Sequence, residues 1–418
     1  FSAQSDHEIR FQGDVDIALK RSVVLDAPAL NVLDNKVNVS ARYVALGNTD
    51  VAFQSVISPA STGTGQLNVS ADLIDLIGNS ALHGSKETNL HSRGDIRLRG
   101  VVDTATSRLM GSLSVTDDLN LQARQVYPTT LSEFEIKSSD GMVRILPDAN
   151  PDGNTAPVLS AGGKLTVSSP RIENHGVLKA PLGEIALNGS GDAGQIVLGA
   201  GSQTSVSAEG LVIPYGKTQN GKDWVYGIGT DLTPIINAPP QKNLRLTATN
   251  IDLRAGAEIN LSGNGDLYAY EFVPGSGGST DVLENTVNGK TNNTYAILPA
   301  LGAAFAPYDP QYYNGSTLVP GDSVYLSAAE GLAAGFYTLL PPRYALLPGA
   351  YLVTARNGYQ DILPGQNISL TDGSQIVAGK HASGTDILDS RWSGFSVSLG
   401  AVARTQAEYQ DRYANTFF

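Results

Sequence analysis

The chain has no cysteine, only two methionines and two tryptophans among its 418 residues, and few charges. Without thiols there is no disulfide framework, no thiolate metal site and no cysteine nucleophile. Asp, Glu, Lys and Arg together make up 16%, against roughly 25% in an ordinary soluble domain. That scarcity disfavours a charged helical bundle, which draws on Glu, Lys and Arg as helix formers. The balance is acidic, with 28 Lys+Arg against 40 Asp+Glu and a net charge of −12. No cluster of cations is available to neutralise phosphates, so no nucleic-acid partner is expected, and attraction to anionic lipid is disfavoured too. No stretch approaches the ~20 apolar residues of a membrane-spanning helix.

What is abundant is glycine, with 45 residues, and a 41% hydrophobic share that suffices for a core. Gly, Asn, Ser and Thr mixed with Val, Ile and Leu make strands and tight turns. A short phrase recurs: Gly13-Asp-Val-Asp-Ile, Gly94-Asp-Ile-Arg-Leu98, Gly163-Lys-Leu-Thr-Val167, Gly183-Glu-Ile-Ala-Leu187 and Ala257-Glu-Ile-Asn-Leu261. Each is a small residue followed by period-two alternation, the strand signature. Related strands are Val37-Asn-Val-Ser-Ala41, Leu67-Asn-Val-Ser-Ala71, Leu119-Asn-Leu-Gln-Ala123 and Leu244-Arg-Leu-Thr-Ala248. Spacings near 20 residues, such as Leu165 to Ile185 and the somewhat longer Ile96 to Leu119, indicate a solenoid whose repeats share one core. The expected fold is all-β, a right-handed parallel β-helix of about twelve coils, each adding about 4.8 Å. A sandwich or barrel is the alternative, but the Asn-Gly hairpin turns it favours do not separate the phrases.

The pattern assigns coils to 1–210, an extra-helical excursion to 211–243, coils to 244–266 and an inserted Tyr/Pro-rich subdomain to 267–360. Coils are then expected to resume over 361–403, with a short helical or irregular tail at 404–418, where Thr405–Tyr413 is the best helix candidate. The insert holds 11 of the 17 tyrosines.

Phrases such as Val177-Leu-Lys-Ala-Pro-Leu-Gly-Glu-Ile-Ala-Leu-Asn-Gly189 and Ile251-Asp-Leu-Arg-Ala-Gly-Ala-Glu-Ile-Asn-Leu-Ser-Gly263 resemble filamentous-haemagglutinin-type exoproteins over about two thirds of the chain. The resemblance implies a large bacterial surface or secreted protein, exported by a two-partner route through an outer-membrane transporter. It implies an adhesin, a biofilm-matrix protein or the stalk of a contact-dependent inhibition toxin. Its partners would be a host or bacterial surface receptor or a polysaccharide. The family's amino-terminal secretion signature is absent, so an interior or carboxy-proximal segment is expected. Zero cysteine suits export before folding.

For chemistry, the candidates are sparse. Arg93-Gly94-Asp95 is an integrin-type tripeptide, yet Gly94-Asp95 is also the strand-entry phrase. A polysaccharide-processing β-helix needs carboxylates facing one groove. Asp117-Asp118 and Asn174-His175-Gly176 are the nearest approach, with turn acids as the plainer reading. Histidines 7, 83, 91, 175 and 381 show no zinc spacing, so no metal, cofactor or catalytic residue is expected. A phage tail-spike is a further β-helical alternative. The best contact candidates are Tyr308, Tyr312, Tyr313, Phe336, Tyr337 and Tyr344 in the insert, with Trp224 and Tyr226 alongside from the excursion. Aromatic rings stack on sugars or proteins with little entropy lost; the same residues also suit a small core.

Overall fold

A computed structural model describes residues 1–54, 59–148, 156–228, 233–275, 280–284, 286–287, 290–291, 293–310, 318–382 and 388–418. The chain is all-β and divides into two compact units, 1–213 with 239–266 and 214–238 with 267–418.

The first unit is built from parallel strands, apart from the antiparallel pair Val101–Asp103 with Arg108–Val115. One sheet has nine: Ser2–Gln4, Ser22–Asp26, Tyr43–Gly47, Leu73–Ile77, Asp95–Arg99, Gln125–Pro128, Val177–Lys179, Gln203–Ser205 and Glu258–Asn260, each hydrogen-bonded to the next. The second parallel sheet nearly closes on itself in a barrel-like way. Its long strand Asn79–Ser92 belongs to two runs at once, pairing Ala29–Asn31 through one half and Asp118–Ala123 through the other. Strand order therefore follows chain order along three ladders.

Register explains the recurring phrases. Val37, Leu67, Thr88, Leu119, Val143, Ile172, Ile196 and Ile251 stand in direct pairing from strand to strand. All but the last are buried, because alternation sends every second side chain to one face. The 20-residue spacing of Leu165 and Ile185 is a true pairing. Ile96 instead pairs Val126, not Leu119, which lies in the other sheet. Nine layers at about 4.8 Å make a stack of roughly 40 Å, shorter than twelve coils would give.

Most strand pairs of the second unit are antiparallel. A five-stranded sheet runs in the order Ile235–Ile236, Asp223–Val225, Val212–Gln219, Asp266–Val273 and Glu408–Tyr413. The excursion and the tail thus share one sheet. The expected helix over Thr405–Tyr413 is corrected: a helix covers Gly400–Gln406, and Glu408–Tyr413 is a strand. Its Tyr409 and Tyr413 pack on Phe272, Tyr270 and Tyr268 across the sheet, a tertiary gain that outweighs local helix propensity.

A larger sheet orders Thr294–Ile297, Tyr351–Gln360, Ser393–Leu399, Gln375–Ala382, Ser323–Leu326 and Gly335–Thr338, with Ile368–Ser369 on Gln375–Ala382. The assignment of resumed coils to 361–403 is likewise corrected, since these strands pair antiparallel with one another and with Tyr351–Gln360. Period-two alternation is common to both pairings, so the phrase Ile368-Ser-Leu could not tell them apart. Tyr295, Val324, Leu326, Val353, Val377, Phe395 and Val397 belong to one buried cluster on this sheet. No helix among the described residues is long and apolar enough to cross a membrane.

Candidate functional site

The structure separates the aromatic candidates. Trp224 and Tyr226 are fully buried. The Trp224 indole N–H donates to the Tyr215 carbonyl at 2.6 Å, and its ring packs against Phe417 and Phe418 at 5.2 and 5.4 Å. Tyr226 lies 5.2 Å from Tyr215, with the Arg343 guanidinium 5.8 Å above its ring. Tyr344 is buried within the short helix Pro342–Leu346. Burial pushes all three neighbouring phenols, Tyr215, Tyr226 and Tyr344, above their ordinary value. These are core residues, and the contact role expected for Trp224, Tyr226 and Tyr344 is withdrawn. Tyr337 pairs Val324 on the core side of the sheet and donates to the Ala333 carbonyl at 2.6 Å. Tyr308 is partly buried. Tyr312 and Tyr313 lie outside the described residues.

Phe336 alone of the set stands out, 60% exposed. It belongs to a row. Tyr325 pairs Phe336 on one side and Lys380 on the other, and directly paired residues share a face. Val324 and Leu326 point into the core, so alternation turns Tyr325 outward. The Phe336 and Tyr325 rings meet edge to face at 5.2 Å; Tyr325 and Trp392 lie 6.0 Å apart; the Lys380 ammonium sits 4.7 Å from the Trp392 ring centre. Lys380 also donates to the Ser390 carbonyl at 3.4 Å, and the Trp392 carbonyl accepts from the Asp361 N–H at 2.8 Å. Among the described residues the Tyr325 hydroxyl makes no hydrogen bond. The result is three aromatic rings, one cation and one spare hydroxyl across neighbouring strands.

Tyr325 and Trp392 were not singled out from sequence. The available signal was an aromatic between two aliphatics, Val324-Tyr325-Leu326, whose alternation predicts an outward ring. Nothing local marks Trp392 as its neighbour, because the two meet only where Ser323–Leu326 and Ser393–Leu399 flank Gln375–Ala382.

The remaining candidates are structural. Arg93 forms an ion pair with Asp72. Asp95 opens the strand Asp95–Arg99 and accepts from the Tyr127 hydroxyl at 3.0 Å and the Gln125 amide at 3.2 Å. Burial raises its carboxyl above the ordinary value, so the tripeptide offers no free carboxylate to a receptor. Burial pushes the Asp117 carboxyl up, but Lys86 and the Thr62 hydroxyl, both at 2.6 Å, outweigh it and hold it low. A general acid needs the opposite shift. Asp118 accepts from the Met142 N–H at 3.0 Å. His175 stands two ladder steps and four residues from Asp118, about 10 Å and about 13 Å in those two directions. His175 lies 3.5 Å from Glu173. No single scissile bond is within reach of both. Among the described residues no group of three His, Asp or Glu is placed to hold a metal ion.

Two asparagines that begin Asn-x-Ser sequences, Asn38 and Asn68, are also accounted for. Asn68 donates to Asn38 at 3.0 Å, Asn89 to Asn68 at 3.0 Å, Asn120 to Asn89 at 2.7 Å, and Arg144 to Asn120 at 3.1 Å. This ladder of amides is why Asn recurs at the second position of the repeated phrase.

No protein-family model, curated protein or solved structure matches the chain.

Proposed function

We propose that the chain is a non-catalytic segment of a secreted or surface-exposed bacterial filamentous adhesin, an extended scaffold for attachment to polysaccharide. In this reading the parallel stack is a right-handed β-helix. Support comes from short strands climbing three ladders in chain order, from the aliphatic columns, and from the strong preference of parallel crossovers for the right hand. Export through an outer-membrane transporter accords with the absence of thiols, since an unfolded chain without cysteine cannot cross-link on the way.

The observation that carries attachment is the row of an exposed Phe336 and half-buried Tyr325 and Trp392, with Lys380 at its end. Flat rings stack on the C–H faces of sugars, and neighbouring hydroxyl and ammonium groups bond to sugar oxygens. The test is retention of the full chain on a panel of immobilised bacterial and host polysaccharides, with the supernatants assayed for newly formed reducing ends. Saturable retention without new reducing ends is expected. Release of reducing ends would instead support the polysaccharide-processing alternative, and no retention on any member would remove the attachment role.

A further inference from the structure

A second feature of the large antiparallel sheet involves different side chains from the aromatic row, although Ser393 and His381 follow Trp392 and Lys380 in the chain. A cavity of about 290 Å³ is lined by Arg356, Tyr359, Gln360, Asn293, His381 and Asp389 among others, with Ala355, Leu318 and Phe395 as apolar surface. That volume sits at the lower limit of ligand pockets, roughly 300 Å³ and upward. It has room for one or two sugar units and not for a folded peptide.

The cavity is made by an irregularity in strand pairing. Tyr351–Gln360 pairs Ser393–Leu399 residue by residue from Tyr351 opposite Leu399 to Arg356 opposite Gly394; the next pair is Gln360 with Ser393. Residues 357–359 thus leave the ladder, a bulge of the kind that re-aims side chains beside functional sites. Tyr359 comes to rest over Gly394. A Cβ at Gly394 would fall 2.4 Å from the Tyr359 Cβ, so only glycine leaves this seat open. The sequence shows this as Trp392-Ser-Gly-Phe395, a glycine inside a strand pattern.

The polar groups differ in what they are free to do. His381 is held 3.3 Å from Asp322. Arg356 is exposed and makes no side-chain hydrogen bond among the described residues, although its charge is near enough to Asp372 to help hold that carboxyl low. A guanidinium presents a planar fork that matches a carboxylate with two parallel bonds. The amides of Asn293 and Gln360 and the Asp389 carboxylate offer the donors and acceptors that vicinal hydroxyls require. The Tyr359 ring, 38% exposed, offers an apolar face for a pyranose. In a chain of net charge −12, an arginine in a cavity with its fork not hydrogen-bonded is a seat for a carboxylate, while Asp389 across the same cavity favours a ligand that also carries hydroxyl donors.

We propose that this cavity is a binding site for a single hexuronic acid unit, its carboxylate on Arg356 and its ring against Tyr359. The inference goes beyond the adhesive reading and does not use the aromatic row. Its test is isothermal titration of the full chain with methyl β-glucuronide and methyl α-galacturonide, with methyl glucoside as the neutral control. Saturable binding of at least one uronide is expected, weaker binding of the glucoside, and a loss of about tenfold or more in affinity for Arg356→Gln. Arg356→Lys, which keeps the charge and removes the fork, is expected to fall between. Arg356 is exposed, so these variants test the ligand and not the fold. The Phe336→Ala variant is expected to bind the uronide unchanged, which separates this site from the row; Trp392 is left in place because Ser393 beside it lines the cavity. Failure of both uronides to bind, or equal binding of uronide and glucoside that Arg356→Gln leaves intact, would overturn the proposal.

Discussion

At the residue scale, two buried or partly buried aspartates on the nine-stranded sheet behave in opposite ways. Asp75 has no accessible surface. Burial alone pushes its carboxyl up, but Arg97 and Arg99 outweigh that and hold it below the ordinary range. Arg97 grips it through two bonds of 2.7 and 2.9 Å, Arg99 adds one of 2.8 Å, and the Tyr43 hydroxyl one of 2.9 Å. A carboxyl lowered by folding contributes stability above its unfolded value, and that contribution is lost as pH falls through its folded one. Asp75→Asn strands two buried guanidinium groups and is expected to cost about 3–5 kcal/mol at neutral pH, read by urea unfolding. Asp95, raised by burial, has the opposite sign: its contribution is present at low pH and lost as pH rises through its folded value. Asp95→Asn is therefore expected to unfold at higher urea than the parent at pH 7, with the difference shrinking as both are taken into the carboxylate range. The sequence placed Asp95 at a strand start through the phrase Gly94-Asp-Ile-Arg-Leu98, but not its burial, because Tyr127 and Gln125 arrive from a strand some 30 residues later.

At the scale of elements, the repeated phrase owes its details to stacking. Gly163 and Gly183 each open a strand, and a Cβ on Gly183 would lie 2.1 Å from the Gly163 carbonyl oxygen. Gly183→Ala is expected to destabilise the stack by about 1–3 kcal/mol, as overpacking does. Asn89 bonds to Asn68 on one side and Asn120 on the other. Asn89→Ala breaks both bonds and is expected to cost about 1–3 kcal/mol by the same urea assay. Strands and their spacing were legible in the first unit because small residue, polar residue and alternating aliphatics recur where the stack needs them. Pairing direction in 361–403 was not legible, since Gln375–Ala382 and Ser393–Leu399 alternate as any strand does. Glu408–Tyr413 was missed because its partner, Asp266–Val273, lies more than a hundred residues earlier.

At the scale of the whole molecule, the excursion and the carboxy-terminal half belong together. Val212–Gln219 lies between Asp223–Val225 and Asp266–Val273, and Trp224 is covered by Phe417 and Phe418. A truncation ending at 266 would uncover Trp224, Tyr215 and Tyr226 together. It is expected to aggregate or bind an apolar dye such as anilinonaphthalene sulfonate, whereas the same truncation with 214–238 replaced by a short Gly-Ser linker should stay monomeric by light scattering. Removing 267–360 in one block would likewise cut through both antiparallel sheets, so point substitutions are the clean probe of contact. The aromatic richness of the insert was visible in the sequence, but which rings face solvent was decided by strand pairing. Of the described candidates, Trp224, Tyr226 and Tyr344 went to the core, while Phe336 gained Tyr325 and Trp392 as neighbours.

The central claim, attachment through that row, is tested most directly by the affinity of the Phe336→Ala/Trp392→Ala double variant for the polysaccharide that retains the parent chain. Loss of two stacking rings, one exposed and one half-buried, is expected to weaken binding about tenfold or more, with an unchanged far-ultraviolet circular dichroism spectrum. Undiminished affinity in a folded double variant would contradict the account.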